Sequence, residues 1–249
     1  MKLRLFLTFI LFVTVPSVTL AQKKDTASKT SAYFSAGFGA SIATGGFASL
    51  ATASLGGDAT RGTCEYISAG LIIKKLKFGF AIKEGWFTSS FNTGRYLQSA
   101  QAADTAPNKT FTQQGGGTKY NGGYGMLGLI TDIKIHRCII EFRLLGGELT
   151  YVFPEVIYSV SGPHMAPSPV YDFLSTESSA FAFEAGVNAR LPFTKHFGAM
   201  IDIGYLHSSF AYGTEEQYTD GSGTLQQAGV YYSCTLSFLS MVAGLVYQF

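Results

Sequence analysis

The chain has 249 residues, a formal charge of +2, and only 14% charged residues against 47% apolar ones. Globular domains carry about 25% charged residues, so this composition argues against an ordinary soluble domain. The near-neutral charge, without a long run of Lys or Arg, excludes nucleic acid from the expected partners. The chain has 29 Gly, 21 Phe and 14 Tyr residues. After the N-terminus, no apolar run approaches the ~20 residues of a spanning helix, which favours a membrane β-barrel.

The N-terminus has the features of an export signal. Lys2 precedes an apolar run, Leu5–Val15, and Ala21 supplies a small residue before the expected cleavage site. This pattern predicts a cleaved secretory signal peptide at 1–21 and a mature barrel domain at 22–249. An uncleaved anchor helix is the alternative, but the apolar run is short for a bilayer span.

Alternation of apolar residues with small or polar ones recurs along the mature chain. Successive side chains of a strand point to opposite faces, so each such segment predicts a strand with one apolar face. The segments are also long enough for tilted strands that cross a bilayer. The predicted strands are Ala32–Ile42, Glu65–Lys74, Lys77–Phe91, Tyr120–Lys134, Cys138–Phe153, Ser178–Pro192, Phe197–Phe210 and Tyr232–Phe249.

The connections alternate between short turns and long polar segments. Outer-membrane barrels have short periplasmic turns and longer extracellular loops, so this rhythm predicts an all-β, up-and-down antiparallel transmembrane barrel. Eight strands are expected, although the count could differ by two. Eight strands leave an interior that side chains fill, so no pore is expected. The long segments are Thr44–Thr63, Asn92–Lys119, Pro154–Glu177 and Ala211–Tyr231.

Leu245, Tyr247 and Phe249 alternate along the last strand and end in an aromatic residue. This pattern resembles the C-terminal signal that the barrel assembly machinery recognises in outer-membrane barrels. The mature chain is similar to the small outer-membrane β-barrel family of the OmpA/OmpX type, in the stand-alone form found in Bacteroidetes-like bacteria. Stretches such as Leu144–Gly147 and Gly204–Leu206 fit that pattern.

The resemblance implies a porin-like integral protein of the Gram-negative cell outer membrane. Its expected partners are outer-membrane lipid, lipopolysaccharide, the assembly machinery and an unknown extracellular ligand, and it is expected to be a monomer. The expected role is structural, or surface interaction through the extracellular loops. A small-solute channel is an alternative. The sequence does not identify a loop ligand.

Several charged residues lie on the small-residue face of the predicted strands and should point into the barrel. An unpaired charge in a narrow lumen is costly, so the sequence predicts a salt-bridge network that fills it. Glu141 should face Arg190, and Arg143 should face Glu184. A proton or ion path is the alternative. The network is predicted to contain Glu141, Arg143, Glu184, Arg190 and Asp202, with Lys83, Asp132, Lys134 and Asn188 on the same face.

One motif raises the alternative of a lipid-modifying enzyme. His207 and Ser209 have the His-x-Ser spacing of the outer-membrane lipid A deacylase, also an eight-stranded barrel, and Glu216 is the candidate carboxylate. In such a triad the His takes the Ser proton while the carboxylate orients the ring. Phe210 replaces the expected Asn, and the acidic residue is differently spaced. The primary expectation is therefore a non-enzymatic protein without cofactor or metal.

The three cysteines, Cys64, Cys138 and Cys234, are widely spaced and form no CxxC motif. Buried or lipid-facing thiols are expected. A disulfide between Cys64 and Cys234 is the alternative, on the premise that the two lie on neighbouring strands.

Overall fold

The computed structural model describes residues 30–48, 58–103, 109–162, 170–219 and 224–249. The predicted signal peptide lies outside these residues. The described residues form eleven strands: β1 Thr30–Ala43, β2 Arg61–Ile73, β3 Phe78–Ser90, β4 Thr110–Gly116, β5 Lys119–Ile135, β6 Cys138–Val152, β7 Val156–Ser161, β8 Val170–Phe173, β9 Glu177–Pro192, β10 Phe197–Thr219 and β11 Leu225–Gln248. They also form two helices, α1 Gly45–Ala48 and α2 Thr93–Ala103.

Eight of the strands form a closed antiparallel barrel. β1, β2, β3, β5, β6, β9, β10 and β11 each pair with the next in that order. β11 then pairs with β1, from Tyr33 opposite Gln248 to Ala43 opposite Phe238, and this pairing closes the ring. The predicted eight-stranded all-β barrel is confirmed, and each barrel strand overlaps the segment expected for it.

Three short reversals lie at one end of the barrel. They occupy 74–77, 136–137 and 193–196. Lys77 and His136 have positive φ values of 57° and 55°, which close these turns tightly. This short-turn end is the periplasmic end under the outer-membrane rule.

The outer wall of the barrel is apolar, as the alternation predicts, whereas the inner wall combines small and polar residues with buried aromatic and aliphatic ones. On β1, Phe38 is 62% exposed on the outside whereas the inward-facing Ser35 is fully buried. The same contrast recurs around the ring. Large exposed apolar side chains include Phe80, Leu127, Leu144, Phe183, Ile201, Met241 and Leu245. Such a belt matches the hydrocarbon region of a bilayer, where a closed barrel leaves no unpaired strand edge.

The sheet continues beyond the barrel at the long-loop end, and this extension was not predicted. The hairpin of β10 and β11 continues beyond the barrel to Thr219 and Leu225. β8 pairs with this extension of β10, β7 pairs with β8, and β4 pairs with β7. We call these three strands with the extensions of β10 and β11 the outer sheet. The long connections, predicted as extracellular loops, also contain short strands that pair with strands from other connections.

The two helices also lie in segments predicted as loops. The Asn92 side chain accepts a hydrogen bond from the backbone N–H of Arg95 at 3.0 Å and so caps the start of α2. α1 carries Phe47, which is fully buried. Neither helix in the described part of the chain is long and apolar enough to cross a membrane.

The premise for a disulfide between Cys64 and Cys234 was wrong. Cys64 lies on β2 and Cys234 on β11, and β1 runs between these two strands. Both thiols are free, and the Sγ of Cys64 lies 3.2 Å from the backbone carbonyl oxygen of Ala40, to which it donates.

Candidate functional site

Six charged side chains are buried inside the barrel and form what we call the ionic layer. Three are cations and three are anions, so the formal charge of the layer is zero. None is more than 8% exposed. Their positions on the strands put them on the inner face, among buried apolar neighbours such as Met126, opposite Lys83, and Leu145, opposite Glu184. The ionic layer consists of Lys83, Glu141, Arg143, Glu184, Arg190 and Asp202.

Glu184 is the centre of the larger group of ion pairs. Its carboxylate accepts hydrogen bonds from the Nζ of Lys83 at 2.9 Å and from the Nε of Arg143 at 2.7 Å. Arg143 also donates to Asp202, whose Oδ2 lies 3.7 Å from the Nζ of Lys83. Gly186, opposite Arg143 on β9, leaves room for the guanidinium, since a Cβ there would lie 2.9 Å from Nε.

Glu141 is the centre of the smaller group. It accepts hydrogen bonds from Arg190 at 3.0 Å and from the Tyr33 hydroxyl at 2.7 Å. The Cζ of Arg190 lies 4.1 Å from the centroid of the Tyr33 ring, a cation–π contact. Asp132 lies 3.9 Å from Arg190 at the half-buried edge of the group, and Lys134 is exposed.

Every charge of the ionic layer therefore has a partner of opposite sign. In a medium of low dielectric constant this pairing offsets the cost of removing charges from water, and a single unpaired member would not be offset. The arrangement is suited to filling the barrel and holding its strands in register.

An aromatic layer closes the lumen at the long-loop end. Phe47 of α1 packs over Tyr120, with ring centroids 5.2 Å apart, and Tyr120 stacks on Tyr151 at 5.3 Å. Phe87 and Phe238 lie beside them with ring centroids 4.7 Å apart. The sequence pattern did not predict this layer, because Phe47 reaches it from a segment predicted as a loop. The sequence feature that indicates this layer is the cluster of aromatic residues at the long-loop ends of the predicted strands.

The candidate triad is not assembled. The Nδ1 of His207 lies 2.8 Å from the Oγ of Ser237 on the neighbouring strand, not beside Ser209. Ser237 is only 2% exposed. Glu216 is nine positions beyond His207 on the same continuous strand, which separates their Cα atoms by roughly 30 Å. The sequence motif therefore does not bring Glu216 to His207.

The residues of the expected assembly signal lie at the short-turn end. Leu245 is 61% exposed on the outer wall. The Tyr247 ring lies 5.1 Å from that of Phe197 and 5.0 Å from that of Phe249. The backbone N–H of Phe249 donates to the carbonyl oxygen of Ala32 at 3.1 Å. Within the described residues, no group of three or more His, Cys, Asp or Glu side chains is placed to hold a metal ion.

No protein-family model matches the chain, and no curated protein matches its sequence. Among solved structures, it is similar to Ail, the attachment invasion locus protein of Yersinia pestis, with 13% identity and a TM-score of 0.44 over 89% of this chain and 100% of that one. A major outer membrane protein from Thermus thermophilus has 14% identity and a TM-score of 0.43, over 88% and 99%. Neisserial surface protein A has 14% identity and a TM-score of 0.35, over 90% and 100%.

At such identities and scores, these similarities carry no argument about function. The strand pairing and the apolar belt of the chain itself identify a transmembrane β-barrel of the outer-membrane type.

Proposed function

We propose that this chain is an integral outer-membrane protein whose filled barrel supports a surface-interaction role of the outer sheet. The observation that carries the proposal is the open edge that β11 forms in that sheet. Between Gln227 and Ser233, β11 pairs with β10 on one side, and no described strand pairs with its other side. Open strand edges present unpaired backbone groups and are recognised by extended segments of other proteins.

The filled lumen supports this role over that of a small-solute channel. The ionic layer and the aromatic layer occupy the interior in succession, as expected for a barrel of eight strands. We therefore expect no large steady conductance when the protein is inserted into planar bilayers. A stable open pore in the unmodified protein would favour the channel instead.

The resemblance to the stand-alone barrels of the OmpA/OmpX type supports the same assignment. Short turns at one end, eight strands and an apolar belt are features of that family. Outer-membrane lipid, lipopolysaccharide and the barrel assembly machinery are then the partners of the barrel wall. A closed ring has no free edge within the membrane, which supports a monomer.

The alternative function, an enzyme that acts on membrane lipid, is less well supported. His207 contacts Ser237 closely enough to accept its proton. Ser237 is nevertheless almost fully buried, and Glu216 lies far along the strand. A nucleophile needs both access to its substrate and an oriented base.

The proposal is tested by removing the extension of the β10–β11 hairpin. In the variant, residues 211–231 are replaced by a short Gly-Ser turn, which leaves the barrel part of both strands in place. We expect the variant to reach the outer membrane and to keep the faster gel migration of the unheated, folded barrel. Cells that produce it should adhere less to surfaces coated with extracellular protein than cells that produce the unmodified chain. Equal adhesion at equal surface amounts would contradict the proposal.

A further inference from the structure

A cleft of about 430 Å³ opens on one face of the outer sheet. One wall is the segment 174–176, which joins β8 to β9, and the floor is formed by the extended hairpin of β10 and β11. The backbone N–H of Leu174 donates to the carbonyl oxygen of Glu215 at 3.3 Å and fixes the wall to the floor. The volume falls within the range of small-molecule sites.

The floor of the cleft lacks side chains at two positions. Gly213 pairs with Tyr231, and Gly229 pairs with Glu215. A Cβ at Gly213 would lie 3.1 Å from the Tyr231 ring, whereas a Cβ at Gly229 would meet nothing within 4 Å. The floor beside the Tyr231 ring is therefore open, and the empty space lies next to Gly229.

Tyr231 presents a flat aromatic surface at this cleft. It is 87% exposed. A tyrosine ring combines an apolar face with a polar hydroxyl at its edge. It is thus suited to a ligand that is flat and apolar on one side and polar at its rim.

Polar side chains also line the cleft. The Glu215 carboxylate accepts a hydrogen bond from the Gln227 side chain and has further acceptor positions. Ser175 donates its hydroxyl proton to the carbonyl oxygen of Phe153 at 2.7 Å, which leaves the Oγ lone pairs as acceptors. The cleft therefore offers mainly acceptors, which suit a ligand rich in hydroxyl groups.

We propose that this cleft binds a neutral saccharide, with one sugar ring stacked on Tyr231 and its hydroxyl groups donating to Glu215 and Ser175. The C–H face of a pyranose supplies the apolar surface, and its equatorial hydroxyl groups supply the donors. The carboxylate of Glu215 disfavours acidic sugars by charge repulsion. The inference rests on the proposed function, in which the outer sheet faces the cell exterior.

Binding is measured by titration calorimetry on the full barrel in a detergent without a sugar headgroup. The probes are maltose, lactose, cellobiose and diacetylchitobiose, with a glucuronate-containing disaccharide as the acidic comparison. We expect at least one neutral probe to bind and the acidic one to bind more weakly. Tyr231→Ala and Gly229→Leu should each weaken binding by about tenfold or more, because they remove the platform or fill the space beside it.

The controls separate the cleft from the fold of the sheet. Tyr231→Phe keeps the ring and should bind within about threefold of the unmodified chain. Leu225→Ala, on the same strand outside the cleft, should leave binding unchanged. The absence of binding by all four neutral probes, or binding that survives both Tyr231→Ala and Gly229→Leu, would overturn the proposal. Such a result would leave the adhesion test of the hairpin unaffected, because that test does not depend on a sugar.

Discussion

The barrel and the outer sheet share strands β10 and β11 but are stabilised in different ways. In the barrel, the inner face buries paired charges and aromatic rings, and the outer face is apolar. In the outer sheet, β4 and much of the β10–β11 extension are exposed, and stacked rings such as Tyr158 on Tyr171, 5.1 Å apart, supply local packing. The barrel is therefore stabilised mainly by contacts on its buried inner face. The side chains of the outer sheet that are accessible to a binding partner lie on exposed surfaces.

The largest expected effect is the loss of Glu184 from the ionic layer. Glu184→Ala removes the acceptor shared by Lys83 and Arg143 and leaves two buried cations with only Asp202 between them. We expect the barrel to be destabilised by about 5 kcal/mol, the upper end for breaking a buried pair. Urea titrations followed by the fluorescence of the single Trp measure this loss. The exposed carboxylate of Glu177, the first residue of β9 at its long-loop end, is the control, and Glu177→Ala should change stability by less than about 0.5 kcal/mol.

Arg190→Ala is expected to be slightly less costly. It removes the cation that pairs with Glu141, but the Tyr33 hydroxyl still donates to that carboxylate. We expect a loss of roughly 3–4 kcal/mol. A double-mutant cycle with Glu141→Gln should recover part of the loss, because it removes the unpaired charge. An Arg190→Ala variant as stable as the unmodified chain would show that the pair does not hold the barrel together.

A charge on the outer wall tests the other face of the barrel. Ile201 is 60% exposed on β10, between Ala189 and Ala243 of the neighbouring strands. Ile201→Arg should cost about 2–4 kcal/mol in lipid if the position lies near the bilayer midplane. Ile201→Leu is the control and should be nearly neutral. The same titration in bilayers of defined thickness checks the result, and a harmless arginine would contradict the lipid-facing assignment.

The difference between the two regions also explains what the sequence could predict. Alternation along segments such as Phe197–Phe210 follows directly from a wall with lipid on one side, so the eight barrel strands were predictable. The same alternation predicted that Glu141 and Arg190 lie on the inner face. The strands β4, β7 and β8 are short, and their partners come from distant connections, so the sequence of one connection does not specify their pairing. The contact of His207 with Ser237 depends on the register of two strands, which one sequence does not specify.

The smallest effect on the barrel is expected from a change within the outer sheet. Tyr158 is 7% exposed and stacks on both Phe111 and Tyr171, so it joins β4, β7 and β8. Tyr158→Ala should loosen these strands locally, since regions of a structure open with different free energies. Limited proteolysis should then cut the outer sheet sooner, while the stability of the barrel in urea changes by less than about 0.5 kcal/mol.

The control for this prediction is Tyr231→Ala, which removes an exposed ring from the same sheet without removing a buried contact. It should leave the rate of proteolysis close to that of the unmodified chain. If Tyr158→Ala also lowered barrel stability by several kcal/mol, the two regions would unfold as one cooperative unit. The independence of the outer sheet from the barrel would then be disproved. If proteolysis is faster and the urea transition is unchanged, the barrel is a rigid support that tolerates change in the sheet above it.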